Sequence, residues 1–179
     1  EIREIKKIDE KLVLGTKSES TGVLKYQDGQ IYISQNGEKT VELFFLNDVL
    51  TLVEHPDKDF GDEEKRKVTI IKKTPPPLIK SLVNLFSSPK KFKSDFTVLS
   101  EKLTENGSIY TGKLKSKDKN IKSLEIVIDK KKLNLLQLSF VDDVDTKTTL
   151  DFKNVKLNQK MKKSIFQFIE QKSDEVITE

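Results

Sequence analysis

Apolar residues recur at every second position through most of this chain. That period admits little besides antiparallel strands that are wet on one side. Val41, Leu43 and Phe45 follow it, although Phe44 makes the outer face partly apolar too. Leu50 and Leu52 flank Thr51, Val68 and Ile70 flank Thr69, and Leu150 and Phe152 flank Asp151. Leu124, Ile126 and Ile128 alternate, with Val127 intruding on the outer face, and Leu136, Leu138 and Phe140 are separated by Gln137 and Ser139. Turn chemistry stands between the runs. Gln27-Asp28-Gly29-Gln30 and Gln35-Asn36-Gly37-Glu38 read as tight hairpin turns, and Asn106-Gly107 is a third signal. Lys117 to Asn120 and Asp143 to Thr146 are polar connections, and Asp57 to Lys67 is a charged loop. The expectation is a long antiparallel meander.

One segment departs from that period. Thr74-Pro75-Pro76-Pro77 stops a strand, because proline cannot donate to a ladder, and it suits the first turn of a helix. Leu78, Ile79, Leu82, Val83 and Phe86 then keep helical spacing until Ser87-Ser88-Pro89. A second helical turn is expected around Lys90 to Asp95, with Phe92 and Phe96 facing inward. At the N-terminus, Ile2, Ile5 and Ile8 fit a helix face while Leu12 and Leu14 fit a strand; a strand from about Ile5 onward is favoured. The fold class is therefore mainly β: a curved antiparallel sheet with a small helical insertion near mid-chain.

The chemistry-bearing inventory is thin. The 179 residues suit one domain spanning 1–179. Basic residues number 33 and acidic ones 29, interleaved along the chain, which is not the one-sided basic face of a nucleic-acid binder. The absence of cysteine excludes disulfides, thiol catalysis and Cys-based zinc sites. A single histidine, His55, leaves no room for a His-based metal cluster or a Ser-His-Asp triad. Asp142, Asp143 and Asp145 lack the order of a calcium loop, and a hairpin turn accounts for them better. Lys90, Lys91 and Lys93, and the run Lys130 to Lys132, read as solvated turns before phosphate contacts. No metal, cofactor or enzymatic activity is expected. The residues from Glu1 onward show no basic, apolar leader, so export cannot be read from them directly.

The apolar face itself remains. A curved sheet with few covering helices either fills its concave side with its own side chains or holds a ligand there. Each methylene moved out of water gains about 0.8 kcal/mol, so a long acyl chain contributes roughly 10 kcal/mol in gross terms. The alternation alone leaves both readings open.

The C-terminal half carries a resemblance. Leu138-Ser139-Phe140-Val141-Asp142 is followed by a turn, then Thr146 to Leu150, then Asp151-Phe152-Lys153-Asn154-Val155 and Asn158. Two apolar strand positions, an Asp, a turn, a Thr, and an aromatic-Lys-Asn-Val segment ending in Asn resemble the LolA family of periplasmic outer-membrane lipoprotein carriers. Phe166-Gln167-Phe168, Glu175-Val176, Phe96-Thr97-Val98 and Pro77-Leu78-Ile79 resemble further family segments. The match covers roughly residues 75–177 well, and 20–56 by strand pattern only. The resemblance implies an incomplete antiparallel β-barrel closed by helices over an acyl-binding cavity. It also implies a monomer in the periplasm that takes lipoproteins from an inner-membrane release complex to an outer-membrane acceptor. Three departures stand out. Lys25-Tyr26-Gln27-Asp28 lacks the arginine that latches the family's lid. Gln171 and Ser173 replace a proline and a glycine. The family's N-terminal helix is expected to be missing or cut short.

Under this reading the acyl cavity is expected to be lined by Leu43, Phe45, Leu50, Leu52, Ile70, Leu124, Ile126, Ile128, Leu136, Leu138, Phe140, Leu150 and Phe152, with Leu82 and Phe86 from a movable lid. The competing reading is a sensory or regulatory module on the same fold, binding a protein through the sheet edge or lid without lipid. An enzyme acting on lipids is disfavoured by the lone His55 and the lack of a nucleophile motif.

Overall fold

The computed structural model describes residues 2–56, 65–72, 77–87, 95–117, 119–132 and 134–179. Its strands are β1 (Ile2–Lys11), β2 (Thr16–Gln27), β3 (Gln30–Asn36), β4 (Thr40–Leu46), β5 (Val49–Glu54), β6 (Lys67–Ile71), β7 (Phe96–Leu103), β8 (Ile109–Ser116), β9 (Ile121–Asp129), β10 (Asn134–Asp142), β11 (Thr146–Val155) and β12 (Glu175–Thr178). The helix α1 (Pro77–Ser87) falls between β6 and β7, and a 3-10 turn (Lys163–Phe166) between β11 and β12. All strands join one sheet in the order β12-β6-β5-β4-β3-β2-β1-β11-β10-β9-β8-β7. The fold is mainly β, a curved sheet that does not close into a barrel. It consists of two meanders, β1 to β6 and β7 to β11, zipped together by the antiparallel β1–β11 ladder. β12 then pairs with β6 in parallel.

The hairpins follow local turn chemistry. Asp28 and Gly29, with φ of 51° and 80°, form the two-residue turn between β2 and β3. Asn47 and Asp48, at 51° and 62°, do the same between β4 and β5, at a place that the sequence reading passed over. Both turns keep positive φ, which glycine and short polar side chains tolerate. Asp142 Oδ1 accepts from the backbone N–H groups of Val144 and Thr146, at 3.1 and 2.8 Å, so this aspartate organises a turn. Asp129 Oδ1 likewise accepts from Lys131 and Lys132 N–H, which makes that basic run a capped turn.

The N-terminus differs from expectation. The first strand starts at Ile2, and Leu12 and Leu14 sit in an exposed turn, because the ladder with β11 ends where Lys11 meets Thr146. Pro75 and Pro76 lie outside the described residues while Pro77 opens α1, and the helical turn expected from Lys90 to Asp95 lies outside them up to residue 94, as does most of the Asp57 to Lys67 loop.

Residues directly opposite in an antiparallel ladder share a face. Ile31, Phe45, Leu50 and Ile71 pair in succession and face the concave side. There, Ile5, Leu24, Leu124, Ile126, Leu138, Leu150 and Phe152 join Ile79 and Leu82 of α1 in one buried cluster. Tyr32, Phe44, Thr51 and Ile70 pair in succession on the convex side. This side has its own small core. Val53, Val68 and Phe166 are each at most 1% exposed, and Phe168 packs its ring 6.0 Å from that of Phe44. The C-terminal segment supplies both phenylalanines, which is why Phe44 is apolar on an outward position.

Two expected cavity positions are corrected by register. Ile70 lies opposite Thr51 on the convex face, and its neighbour Ile71 takes the concave place beside Leu50. Val68-Thr69-Ile70-Ile71 offers apolar residues at both parities, so the period alone does not select a face. Leu136 is the extra residue of a β-bulge: Leu135 pairs with Ile128 and Gln137 with Val127, leaving Leu136 without a partner on β9.

Candidate functional site

A cavity of about 820 Å³ opens at the rim of the concave face where β2, β9, β10 and β11 end beneath the C-terminal end of α1. Leu24 and Tyr26 of β2, Leu85 and Phe86 of α1, Ile128 of β9 and Leu135 of β10 contribute apolar walls. The segment from Val155 to Met161 forms the remaining wall. Asparagines shape that segment. Asn154 and Asn158 have φ of 52° and 56°, a left-handed conformation that asparagine tolerates better than most residues. They bend the chain out of β11 and across the cavity, where Met161 N–H donates to Gln27 Oε1 at 2.9 Å. Polar groups, including Asp28, Lys160 and Lys163, complete the lining.

The stretch Lys25 to Asp28, where the resemblance calls for a latching arginine, instead presents Tyr26 to α1. Its ring centroid lies 5.2 Å from that of Phe86, a tilted aromatic contact. The Tyr26 hydroxyl also accepts from Gly29 N–H at 3.1 Å, which fixes the ring against its own hairpin.

Of the expected lining residues, Phe86 and Ile128 line this cavity. Phe45, Leu50, Leu82, Leu124, Ile126, Leu138, Phe140, Leu150 and Phe152 lie in the adjoining buried cluster, with Leu43 partly buried against it. Leu52 is half-buried on β5, and Ile70 and Leu136 are placed as above. The sequence reading missed Leu24, Tyr26, Leu85, Leu135, Val155, Leu157 and Met161. Leu24 and Tyr26 carry a period-two signal. Leu157 and Met161 follow the last long strand with no period at all.

Polar constellations lie on the convex side, away from this cavity. Tyr32 hydroxyl donates to Glu42 Oε1 at 2.6 Å, and His55 Nε2 lies 2.7 Å from Glu42 Oε2. Burial, reinforced by Glu42, pushes the Tyr32 hydroxyl up to about 12. Arg66 donates to both carboxylate oxygens of Asp174, at 2.7 and 2.6 Å, and lies over the Phe168 ring. The paired guanidinium holds the Asp174 carboxyl below its ordinary range. The Arg66 contacts bind the C-terminal segment to the flank of β6. No metal-ligating cluster occurs among the described residues.

Similar structures were found among solved proteins. A crystal structure assigned as an outer membrane lipoprotein-sorting protein domain from Vibrio parahaemolyticus aligns over 92% of this chain and 88% of its own, at 8% identity and a TM-score of 0.41. An uncharacterized conserved protein from Thermus thermophilus aligns over 99% and 91%, at 9% identity and 0.43. MucB, in its complex with MucA(peri), aligns over 87% of this chain and 51% of its own, at 11% identity and 0.34. No curated protein sequence matches the chain. The family model of the outer membrane lipoprotein carrier protein LolA matches residues 59–169. That span runs from before α1 to beyond the cavity-wall segment and takes in more than half of the chain, which belongs to the LolA family.

Proposed function

We propose that this protein is a periplasmic, non-enzymatic carrier that shelters lipoprotein acyl chains on its concave face and ferries them between an inner-membrane release complex and an outer-membrane acceptor. The observation that carries this reading is the cavity of about 820 Å³ with apolar walls from three strand ends and α1. Ligand pockets typically span roughly 300–1,000 Å³ and combine apolar walls with a few polar groups. The walls take methylenes, at about 0.8 kcal/mol each, while the polar rim keeps the head of an amphiphile in contact with water. The buried cluster beside the cavity is the closed face. Longer or additional chains enter it as α1 lifts, exposing Phe45, Leu50, Leu124, Ile126, Leu138, Phe140, Leu150 and Phe152 in turn. Closure rests on apolar and aromatic contacts such as Tyr26 with Phe86, together with the hydrogen bond from Asn84 to Asp95.

Native mass spectrometry of the protein recovered from its own cell envelope tests this. A bound lipoprotein is expected. Recovery of lipid-free protein only, together with no binding of a fluorescent acyl probe in solution, overturns the reading.

A further inference from the structure

Along the rim that holds the cavity, four neighbouring strands place an apolar residue in one register row. Leu135 of β10 pairs with Ile128 of β9, Ile128 with Tyr110 of β8, and Tyr110 with Leu103 of β7. Partners in such a row share a face. The row therefore runs from the cavity wall, at Leu135 and Ile128, to the sheet's open edge strand. Leu103 shares the concave face yet is 52% exposed, so the row is uncovered at its outer end.

The next row inward reads Leu138, Ile126, Gly112 and Glu101. Gly112 leaves a gap there, and the Tyr110 ring lies down into it. A Cβ on Gly112 would meet the Tyr110 hydroxyl and Cε1 at 2.9 Å and Cζ at 3.2 Å. The hydroxyl donates to Glu101 Oε2 at 3.2 Å. The ring thus leans along its own strand, off the line from Ile128 to Leu103.

We propose that this row is an acyl-binding track that carries the cavity across β9 and β8 to the β7 edge, with Gly112 and Glu101 as positioning residues that hold the Tyr110 ring aside. The proposal rests on the acyl-carrier reading and adds the path a chain takes. Three inter-strand steps cover about 14 Å, room for on the order of ten methylenes. The occupant is a hydrocarbon chain, because the row is continuous with the cavity and holds no charged side chain of its own. Glu101, in the neighbouring row at the solvent end, repels an anionic head. The chain therefore lies with its methyl end toward β7.

The chain has no tryptophan, so a single one can report on each end of the path. Phe86→Trp reports on the cavity and Leu103→Trp on the outer end of the track, with a fatty acid brominated both near its carboxyl end and near its methyl end as quencher, used below its micelle concentration. Quenching of both is expected. Gly112→Val, added to each, is expected to lift the Tyr110 ring into the row, removing most quenching at position 103 and leaving that at 86. Glu101→Leu, at an exposed position, is expected to weaken quenching at 103 in part, and Glu101→Gln to restore it, even if Gly112→Val does not fold. Quenching at 86 alone overturns the track and leaves the carrier reading standing. Quenching at neither overturns both. Quenching at 103 without 86, or undiminished by both Gly112→Val and Glu101→Leu, means lipid reaches Leu103 by another route, and the track is overturned.

Discussion

Individual side chains explain why the motif shared with the family has its composition. Asp142 accepts from two turn N–H groups, so the aspartate after the apolar pair builds the β10–β11 hairpin. Asn154 and Asn158 adopt left-handed backbone, so the asparagines at the end of the motif steer the chain across the cavity. Burial decides which residues can be probed by mutation. Leu138 is 1% exposed inside the cluster, and a glutamate there buries an unpaired carboxylate and unfolds the protein. Ile128 is half-buried on the cavity wall, where a glutamate can keep partial hydration. Ile128→Glu is expected to fold, by far-UV circular dichroism, and to weaken a fluorescent acyl probe about tenfold or more. An unchanged titration would remove Ile128 from the site. Phe166, wholly buried on the convex face, is expected to cost about 3 kcal/mol on mutation to alanine, read from urea unfolding.

At the scale of elements, α1 is the piece that the carrier mechanism moves. Ile79 and Leu82 hold it by burial, and Asn84 donates to Asp95 at 2.7 Å just before β7. The β9–β10 ladder beneath is part of a continuous sheet. The helix is therefore expected to exchange its amide hydrogens faster than β9 and β10, and acyl ligand to change its protection. Equal protection in both, unaltered by ligand, would make α1 a rigid structural helix. Much of this layout was legible in the sequence. Period two picked out β4, β5, β6, β9, β10 and β11, and Asp28-Gly29 and Asn106-Gly107 marked the β2–β3 and β7–β8 hairpins. Helical spacing from Leu78 to Phe86 located the helix. Other features have no local signature. A bulge at Leu136 shifts parity by one residue without altering composition. Val68-Thr69-Ile70-Ile71 is apolar at both parities, and only pairing with Thr51 and Leu50 assigns its faces. The β1–β11 ladder joins residues far apart in sequence, and the parallel β12 is too short to show a period. The cavity suffers most, because its wall from Val155 to Met161 is irregular chain shaped by positive φ.

Considered as a whole molecule, the protein ties its two faces together through the C-terminal segment. After β11 this segment walls the cavity on the concave side, crosses the rim, plants Phe166 in the convex core and ends as β12 beside β6. Its far end is fastened by the bidentate pair of Arg66 with Asp174. The pair's contribution depends on pH in a definite direction. The folded-state Asp174 carboxyl titrates below its unfolded value of about 3.9, so its stabilisation is fully present above that value. It is lost as pH falls through the lowered folded value. Asp174→Asn is therefore expected to unfold more readily than the parent protein at pH 7 and pH 5, and the difference to shrink as acid titration proceeds below about pH 4. The same geometry couples the fastening to the ligand. If the segment behaves as one strap, releasing its end loosens the wall from Val155 to Met161, whose side-chain tether is the bond from Met161 N–H to Gln27. Arg66→Ala is expected to raise amide exchange across residues 171–178 and also to weaken acyl-probe binding, although Arg66 does not line the cavity. Linkage requires the converse, that saturating probe slows exchange in β12 of the parent protein. Faster exchange at β12 with unchanged probe affinity would show that the convex anchor and the cavity wall move independently.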